Sequence, residues 1–353
     1  MTDDKGKNDM LNENLTEGPL SPMQRAILEK WQSKIKRSVP QALKDVLQTR
    51  FAGEVLFDEP MSRHTYVRIG GPAEVFLIPQ SREALMMAVR VALDHNIPYC
   101  FHGAGANTLV KDGGIRGLVI STYKSLTDCH IVEQNDDHID IRAEAGLIFS
   151  QLIQVAKEQG AADLAPFVGI PGSVGGLVKM NAGTKTREIK DVLRSLTLFN
   201  REGEEIILSR EKLDFEYRSL KIPRSSYILD ATFRLQELVS PDEVAALMKQ
   251  YQEKRVNTQP LDCLSLGSVF KNPVPRHKKE ILPGAGRLIE EAGLKNIRVG
   301  GARVSPKHAN FIINEGNATA KDYLSLIGLI RDRIKQNTGI VLETEIEIVG
   351  EDR

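Results

Sequence analysis

Hydrophobic residues recur at helical spacing in the first fifty residues of the chain. Residues 1–20 are polar and predict disorder, because they offer few apolar side chains to bury. Ser21 and Pro22 are typical of a helix N-cap and first helical position. The apolar positions that follow at helical spacing are Met23, Ile27, Leu28, Trp31 and Ile35. This pattern predicts an amphipathic helix.

A second amphipathic helix is predicted over residues 38–51, where Leu43, Val46 and Leu47 repeat the pattern. We expect the two helices to pack on the rest of the protein. The alternative is that residues 21–48 form a hairpin that binds a partner or a second copy of the chain.

From about residue 51 short apolar runs alternate with longer amphipathic segments. The runs "AEVFLIP", "GLVIS" and "HIDIRAEAG" are typical of strands, whereas "SREALMMAVRVALDHN" and "FSQLIQVAKEQGA" are typical of helices. The run "SLTLFNREGEEIILS" predicts two strands joined by a hairpin around Glu202 and Gly203. This alternation favours an α+β fold, and a length of 353 residues predicts two or three domains.

The C-terminal pattern predicts one helix and one strand. Thr319 and Asp322 have the spacing of a capping box, and Gly339 is a typical helix end; the apolar stripe between them contains Tyr323, Ile327, Ile330 and Ile334. In the last strand, "IVLETEIEIV", alternation places Leu342, Ile346 and Ile348 on one face and Glu343, Glu345 and Glu347 on the other.

Composition excludes several classes of protein. The 47 basic and 47 acidic side chains balance, so no charge field favours nucleic acid or an anionic membrane. No apolar run approaches the roughly 20 residues of a membrane-spanning helix, and the acidic N-terminus is expected to be neither a signal nor a transit peptide. Cys100, Cys129 and Cys263 are widely spaced, which predicts buried free thiols in a reducing cytoplasm and no metal site.

Two glycine-rich segments are candidate ligand loops: "FHGAGANTLVKDGG" at 101–114 and "GIPGSVGGLVKMNAG" at 169–183. Neither has the spacing of a Walker loop or of a Rossmann fingerprint. Singly, each is as often a plain tight loop as a ligand loop. Together with "TYVRIGGPAEV" they indicate an extended nucleotide held by backbone amides. Ser268, in "LGSVFKNP", is by itself typical of a turn that leads into a strand.

Eight motifs occur in an order that resembles the UDP-N-acetylenolpyruvoylglucosamine reductase family. They are "HTYVRIGGPAEVFLIP", "GAGANTLVKDGGIRGLVI", "GIPGSVGGLVKMNAG", "FEYRSL", "LGSVFKNP", "AGRLIEEAGLK", "GGARVSPKHANFIIN" and "GIVLETEIEIVG". The resemblance covers residue 51 to the C-terminus and is to the shorter of the family's two subtypes. Residues 1–50 lie outside it.

The resemblance implies a fold, a cofactor and a reaction. The fold is that of vanillyl-alcohol-oxidase-type flavoproteins, with an FAD-binding domain of two subdomains (49–235), an α+β substrate-binding domain (236–353) whose last strand (340–350) returns to the active site, and an N-terminal extension (1–48). The implied reaction uses non-covalent FAD and NADPH to reduce the enolpyruvyl group of a UDP-sugar in cytoplasmic peptidoglycan precursor synthesis.

The resemblance also implies site residues. Ser268 matches the family's proton donor, Arg218 the arginine that faces the substrate carboxylate, and Glu345 the active-site glutamate. Periodicity alone does not distinguish Glu345 from Glu343 or Glu347, and Arg218 and Glu345 are otherwise typical of solvated surface charges. The implied FAD-binding residues are Arg68, Ile69, Gly70, Gly103, Ala104, Gly105, Ala106, Asn107, Ile170, Pro171, Gly172, Ser173, Gly175 and Gly176. The candidates for substrate binding are Lys271, Asn272, His308 and Asn310.

The chain departs from the family's pattern at four places: Ala106 stands where serine is usual, "NAGTKT" replaces "NAGAYG", Leu266 replaces a frequent cysteine, and residues 274–284 form a longer, basic segment. One alternative function is an FAD-dependent sugar or alcohol oxidase of the same fold, whose flavin would be attached through His64 or His102. The other is a non-catalytic protein of the same fold that binds partners.

Overall fold

A computed structural model describes residues 38–200, 203–223, 226–274 and 282–353. The predicted disorder over 1–20 and the predicted helix from Ser21 lie outside these residues, as do Glu202 and most of the basic segment 274–284.

The second predicted helix is present and packs on the body of the protein. Helix α1 (Gln41–Arg50) buries Leu43 and Leu47 in the same apolar cluster as the first sheet. Ahead of it, the Val39 amide donates to Glu74 Oε1 at 2.9 Å, and Lys44 pairs with the same carboxylate at 3.3 Å. Val46, which was expected on the apolar face, is 42 % exposed and does not join the cluster.

Five strands and one helix follow α1. They are β1 (Gly53–Pro60), β2 (Pro72–Pro79), α2 (Arg82–Asp94), β3 (Tyr99–His102), β4 (Thr108–Val110) and β5 (Ile115–Ser121). Four of the strands form a sheet in the order β1-β2-β5-β3, in which β1 is antiparallel to β2 and the other pairs are parallel. Helix α2 covers the sheet and begins at Ser81, whose hydroxyl accepts from the Ala84 amide at 3.2 Å.

A second, antiparallel sheet follows. Its region contains β6 (Cys129–Gln134), β7 (Ile139–Glu144), α3 (Phe149–Glu158), α4 (Val174–Lys179), β8 (Leu193–Phe199), β9 (Glu205–Ser209), a small hairpin of β10 (Asp214–Glu216) and β11 (Ser219–Lys221), and β12 (Tyr227–Leu235). The sheet order is β6-β7-β12-β8-β9. The predicted hairpin is confirmed, since β8 pairs with β9 from Ser195↔Ser209 to Phe199↔Glu205.

A buried ionic cluster joins the two sheets. Asp230 on β12 accepts hydrogen bonds from Arg142 on β7 at 2.9 and 2.7 Å, from Thr197 on β8 at 2.8 Å, and from Arg82 of α2 at 2.7 Å. Burial alone would raise the pKa of Asp230, but the hydrogen bonds from Arg142, Thr197 and Arg82 hold it below its usual value. The ionised carboxylate therefore ties helix α2 of the first sheet to the second sheet.

The remaining elements build a third core. They are α5 (Pro241–Thr258), β13 (Leu264–Ser268), α6 (Ala285–Glu291), β14 (Arg298–Val299), β15 (Ala302–Val304), β16 (Phe311–Asn314), α7 (Ala320–Thr338) and β17 (Glu347–Val349). Four strands form a sheet in the order β13-β16-β15-β14 against α7. Helix α5, which follows the predicted domain boundary at 236, packs on residues 162–167 of the second core.

The C-terminal predictions are confirmed for the helix and corrected for the strand. Thr319 and Asp322 form the capping box of α7, and Gly339 ends it with a φ of 73°. Regular strand structure is limited to β17, which runs parallel to β4. Ile348 is part-exposed and does not share the buried face of Leu342 and Ile346, because pairing with β4 turns the last residues away from the third core.

The predicted α+β class is confirmed. Cys100, Cys129 and Cys263 are unpaired, as expected, but they are half-buried instead of fully buried. Within the described ranges, every helix falls short of the length and apolar character that crossing a bilayer requires.

The burial of α1 gives a first prediction. Leu47 is fully buried and its neighbour Val46 is 42 % exposed. Leu47→Ala should therefore lower the free energy of unfolding by about 2–5 kcal/mol. Val46→Ala, the matched control, should change it by less than about 0.5 kcal/mol. Urea titration followed by circular dichroism measures both. Equal effects of the two changes would show that α1 does not pack on the body.

Candidate active site

A cavity of about 720 Å³ opens between the first two sheets and the third core. Its walls come from the loop after β3, the loop before α4, the β10–β11 hairpin, the end of α5, strand β13 and the chain ahead of β17. The volume lies within the range of roughly 300–1,000 Å³ that is usual for ligand sites. Both glycine-rich segments contribute to its lining.

The first glycine loop lines the cavity from Gly103 to Asn107, the residues predicted to bind FAD. Gly105 has a φ of 67°, and a Cβ there would collide with the His64 carbonyl oxygen, so only glycine allows this approach. The Tyr66 amide donates to Gly105 O at 3.0 Å. The main chain of this loop therefore lies open to the cavity.

The second glycine loop also lines the cavity, at all six predicted positions: Ile170, Pro171, Gly172, Ser173, Gly175 and Gly176. The Ser173 hydroxyl accepts from the Gly176 amide at 3.3 Å and caps α4. Gly103 of the first loop faces the same hydroxyl. The two loops thus form one continuous surface of main-chain groups, which fits an extended ligand that carries a diphosphate.

The third predicted FAD-binding segment is placed differently. Arg68, Ile69 and Gly70 do not line the cavity. Ile69 is buried in the third core, and its carbonyl accepts from the Thr65 hydroxyl at 2.9 Å. In this arrangement the segment supports the first glycine loop from the outside.

Ser268 ends β13 and lines the cavity. The pairing of β13 with β16 shifts between Ser265 and Ser268, where Gly267 has a φ of 76°. A residue with a side chain would be strained at this bulge. The bulge turns the half-buried serine out of the regular strand alternation and places it opposite Phe311.

Arg218 lies in the tight turn between β10 and β11 and has a φ of 60°. Such a conformation costs a side-chain-bearing residue roughly 1–3 kcal/mol and is frequent at functional sites. Its Nη2 donates to the Gly183 carbonyl at 3.1 Å. Its Nη1 is buried and has no acceptor among the residues that the structure describes. One arm of the guanidinium is therefore available to a ligand.

Glu345 faces Arg218, with 3.0 Å between Oε1 and Nε. The two side chains are 15 % and 17 % exposed, so this is not a solvated surface pair. Burial raises the pKa of Glu345, although the charges of Arg218 and Lys271 act against it. By contrast, the Glu343 side chain is 78 % exposed. The structure thus separates two glutamates that alternation left equivalent.

Main-chain hydrogen bonds hold Glu345 in place. Its amide donates to the Val269 carbonyl at 2.8 Å, and its carbonyl accepts from Asn107 Nδ2 at 3.1 Å. Glu347 also lines the cavity, and its amide donates to the Asn107 carbonyl at 2.9 Å. The segment that carries Glu345 is therefore bound both to the strand of Ser268 and to the first glycine loop.

The four substrate-binding candidates lie beside the cavity and do not line it. Asn310 is buried and exchanges two hydrogen bonds with the main chain of Phe270, at 3.0 and 2.8 Å. His308 Nδ1 accepts from the Asn310 amide at 3.2 Å. Asn272 accepts from the Ala285 amide at 3.0 Å, at the start of α6. These contacts hold the chain that follows Ser268.

The fourth candidate, Lys271, lies 3.9 Å from the Glu343 carboxylate. Its charge is near enough to Glu345 to lower the pKa of that group. Its effect on the cavity is therefore electrostatic.

Several residues line the cavity without having been predicted. They include Tyr66, Thr122, Lys179, Arg255, Gln259 and Cys263. Tyr66 and Lys179 lie inside the motifs "HTYVRIGGPAEVFLIP" and "GIPGSVGGLVKMNAG", although neither was singled out there. The other four stand in no glycine-rich run or motif, and Arg255 occupies the last turn of a helix, where a basic residue is ordinary. Sequence spacing gives no signal for them, because their position depends on how the third core meets the two sheets.

The departures from the family pattern fall partly on the cavity. Ala106 and Leu266 line it. The Thr184 hydroxyl and the Thr186 amide hydrogen-bond within their own turn at 3.3 Å.

The two histidines considered for covalent flavin attachment are both engaged in contacts. His102 lines the cavity and its Nε2 lies 2.9 Å from the His64 carbonyl oxygen, whereas the His64 ring lies 3.0 Å from the Glu59 carboxylate.

Comparisons with known proteins agree with this geometry. Residues 73–209 match the FAD binding domain family, and residues 259–349 match the C-terminal domain family of UDP-N-acetylenolpyruvoylglucosamine reductase. Proteins named UDP-N-acetylenolpyruvoylglucosamine reductase from Syntrophus aciditrophicus and Geobacter metallireducens are 41% and 40% identical to the chain, covering 88% and 87% of it and 96% and 97% of themselves. A crystal structure of that reductase from Thermus caldophilus superposes with a TM-score of 0.67 at 32% identity, covering 84% of this chain and 99% of its own.

The raised pKa of Glu345 gives a second prediction. In the folded protein the ionised carboxylate is disfavoured, so it costs stability at pH values above its raised pKa. The cost disappears as pH falls toward about 4.3, the usual value for glutamate in an unfolded chain. Glu345→Gln, whose amide oxygen can still face Arg218, should therefore melt higher than the wild type at pH 8, and the difference should shrink toward pH 4.

Thermal melting from pH 4 to 8 measures this difference, and Glu343→Gln is the matched control on the exposed neighbour. The control should follow the wild type throughout. A difference in melting temperature between Glu345→Gln and the wild type that widens toward acid pH would contradict a raised pKa for Glu345.

Proposed function

Because the chain belongs to the UDP-N-acetylenolpyruvoylglucosamine reductase family, we propose that it reduces UDP-N-acetylglucosamine enolpyruvate to UDP-N-acetylmuramate with NADPH and FAD, as a step in peptidoglycan precursor synthesis. The observation that carries the proposal is that Ser268, Arg218 and Glu345 line one cavity together with both glycine-rich loops. An FAD-dependent oxidase that acts on an alcohol would not need these three side chains in one place.

The two glycine loops are the proposed FAD site. Gly103 to Asn107 and Ile170 to Ser173 present main-chain groups to the cavity, and Gly175 and Gly176 continue that surface. Main-chain N–H groups in such loops hold a diphosphate without a lysine. When bound, FAD supplies hydride transfer: the hydride comes from NADPH and is passed on to the enolpyruvyl methylene.

Arg218 is the proposed anchor for the carboxylate of the enolpyruvyl group. Its Nη2 is held by Gly183 and its Nη1 lacks an acceptor in the described structure, so the planar group is fixed with one arm free. A fork of N–H donors fits the two oxygens of a carboxylate. The contacts with Gly183 and Glu345 hold the side chain in this orientation without the substrate.

Glu345 is proposed to hold a proton near the same carboxylate. Hydride addition at the methylene leaves negative charge on the neighbouring carbon, and this charge spreads into the carboxylate. Burial raises the pKa of Glu345 and so favours its protonated form more than in water. A protonated Glu345 can donate a hydrogen bond to the developing charge, whereas an ionised one would repel it.

Ser268 is the proposed proton donor to that carbon. A serine hydroxyl is a very weak acid, but a carbanion beside a carboxylate is basic enough to take its proton. The bulge at Gly267 sets the hydroxyl at the cavity wall, and Glu345 is hydrogen-bonded to the next residue along the strand, Val269. Donor and charge-stabilising group are thus supported by the same stretch of main chain.

The third prediction concerns the flavin. The protein should purify yellow, and acid or heat should release free FAD into the supernatant. The reason is that the proposed anion-binding groups are main-chain amides, while His64 and His102 are engaged with Glu59 and with the His64 carbonyl. Absorbance at the flavin maximum, measured in supernatant and pellet, tests this. Flavin that stays with the denatured chain would favour the covalent oxidase.

The fourth prediction separates the two halves of the reaction. Ser268→Ala removes a hydroxyl and little volume, so NADPH should still reduce the flavin at close to the normal rate. Reoxidation of reduced flavin by the enolpyruvyl substrate should slow by about 10²–10⁴-fold, the usual contribution of a positioned acid. Ser268→Cys should recover part of the rate, because a thiol with a pKa of about 8.5 is the stronger acid.

Anaerobic stopped-flow absorbance measures each half-reaction. The matched control is Ser209→Ala, which removes an exposed serine hydroxyl at the end of β9, outside the cavity. It should leave both rates within a few-fold of the wild type. If Ser268→Ala slows both halves equally, the serine shapes the site and does not supply the proton. If the enolpyruvyl sugar nucleotide fails to reoxidise the wild-type flavin at all, the proposed reaction is wrong.

A further inference from the structure

Arg255 is a cation in the cavity wall that the proposed reaction leaves without a task. It lies in the last turn of α5 and lines the cavity beside Gln259. Its Nε is buried and has no acceptor within the described residues. A side-chain hydrogen bond from Nη1 to Gln259 Oε1 is long at 3.4 Å. Burial lowers the pKa of the guanidinium, with no opposing carboxylate.

The other cations on the cavity wall differ from Arg255. Arg218 faces Glu345, and Lys179 donates to the Leu220 carbonyl at 2.9 Å. Across residues 38–200, 203–223, 226–274 and 282–353, Arg255 is within 4.0 Å of no carboxylate. A half-buried guanidinium with its donors unmet is costly. The position at the C-terminus of α5 accounts for a basic residue there, but not for burying it against a cavity.

The surroundings of Arg255 indicate which part of the cavity its unpaired Nε can serve. Its Cδ lies 3.1 Å from where a Cβ of Gly169 would be, so the side chain extends along the start of the second glycine loop. On the other side, the chain from Gln259 leads into β13 and Ser268. Arg255 therefore stands between the proposed FAD loop and the strand of the proposed proton donor.

We propose that Arg255 binds the diphosphate of a nucleotide in the cavity. A planar fork of N–H donors fits phosphate oxygens, and an anion would satisfy the buried Nε that the described residues leave unpaired, beside an Nη1 whose hydrogen bond to Gln259 is long. The identity of the nucleotides rests on the proposed function. FAD, NADPH and the UDP-sugar all carry a diphosphate, and the experiment distinguishes these three sources.

The fifth prediction follows. Arg255→Gln should weaken one of three measurable affinities by about 10–100-fold, as expected for hydrogen bonds to a charged group. These are retention of FAD during dialysis, binding of UDP to the flavin-loaded protein, and binding of NADP⁺ to it, the last two by isothermal titration calorimetry. Arg255→Lys, which keeps the charge and loses the fork, should lie between Arg255→Gln and the wild type.

The matched control is Lys254→Gln, which removes a positive charge from the exposed neighbour in the same helix. All three of its affinities should stay within a factor of about three of the wild type. Loss of FAD retention assigns Arg255 to the flavin diphosphate; loss of UDP or NADP⁺ binding assigns it to that nucleotide. Three affinities equal to those of the control would overturn the proposal.

Two further measurements keep the proposal testable. If Arg255→Gln does not fold, Arg255→Lys carries the same comparison. Inorganic pyrophosphate should compete with the affected nucleotide for the wild type, and absence of competition with any of the three would also overturn the proposal. None of these readouts needs turnover. A wild-type protein without reductase activity but with Arg255-dependent binding would refute the proposed reaction and leave this inference standing.

Discussion

The site depends on one short segment, residues 343–349, which is hydrogen-bonded along both of its edges. On one edge the Glu345 amide donates to the carbonyl of Val269, the residue directly after Ser268 at the end of β13. On the other, the Glu347 amide donates to Asn107, and β17 continues the pairing along β4. Because each bond is a main-chain bond of fixed length, the segment sets the distance between the third core and the first glycine loop. Without it, the cavity would lose one of its walls.

The electrostatics of the cavity follow from this constraint. Glu345 is brought to 3.0 Å from Arg218, although one lies near the C-terminus and the other in the separate β10–β11 hairpin. Both side chains are shielded from water, so their interaction is screened less than a surface pair would be. Burial then raises the pKa of Glu345, and the hydrogen bond from Arg218 Nη2 to the Gly183 carbonyl holds the guanidinium beside it. The cavity thus places a carboxyl group whose protonated form is favoured by burial beside a cation with one free arm.

The first two sheets are linked to each other by the buried ionic cluster around Asp230. Asp230 gathers Arg142 and Thr197 from its own sheet and Arg82 from α2, so three positions distant in sequence share one buried carboxylate. Breaking a buried pair of this kind by removing one partner typically costs about 3–5 kcal/mol. The ionic cluster thus links helix α2 of the first sheet to the second sheet, and the C-terminal segment supplies a further wall of the cavity.

Local signals in the sequence were enough to determine the ends of α7, the β8–β9 hairpin and both cavity-lining glycine loops, because a capping box, a turn and a glycine at positive φ depend on neighbours within a few residues. Alternation placed three glutamates on one face of the last strand, and the family resemblance selected Glu345 among them. Three features could be read only from the tertiary structure. Glu345 is buried, Val46 is exposed next to the buried Leu47, and Arg68 to Gly70 do not line the cavity. It also brings Arg255 to the cavity from a helix end without a motif. Periodicity reports which face of an element is apolar, but which segment covers that face is decided by contacts between residues far apart in the chain.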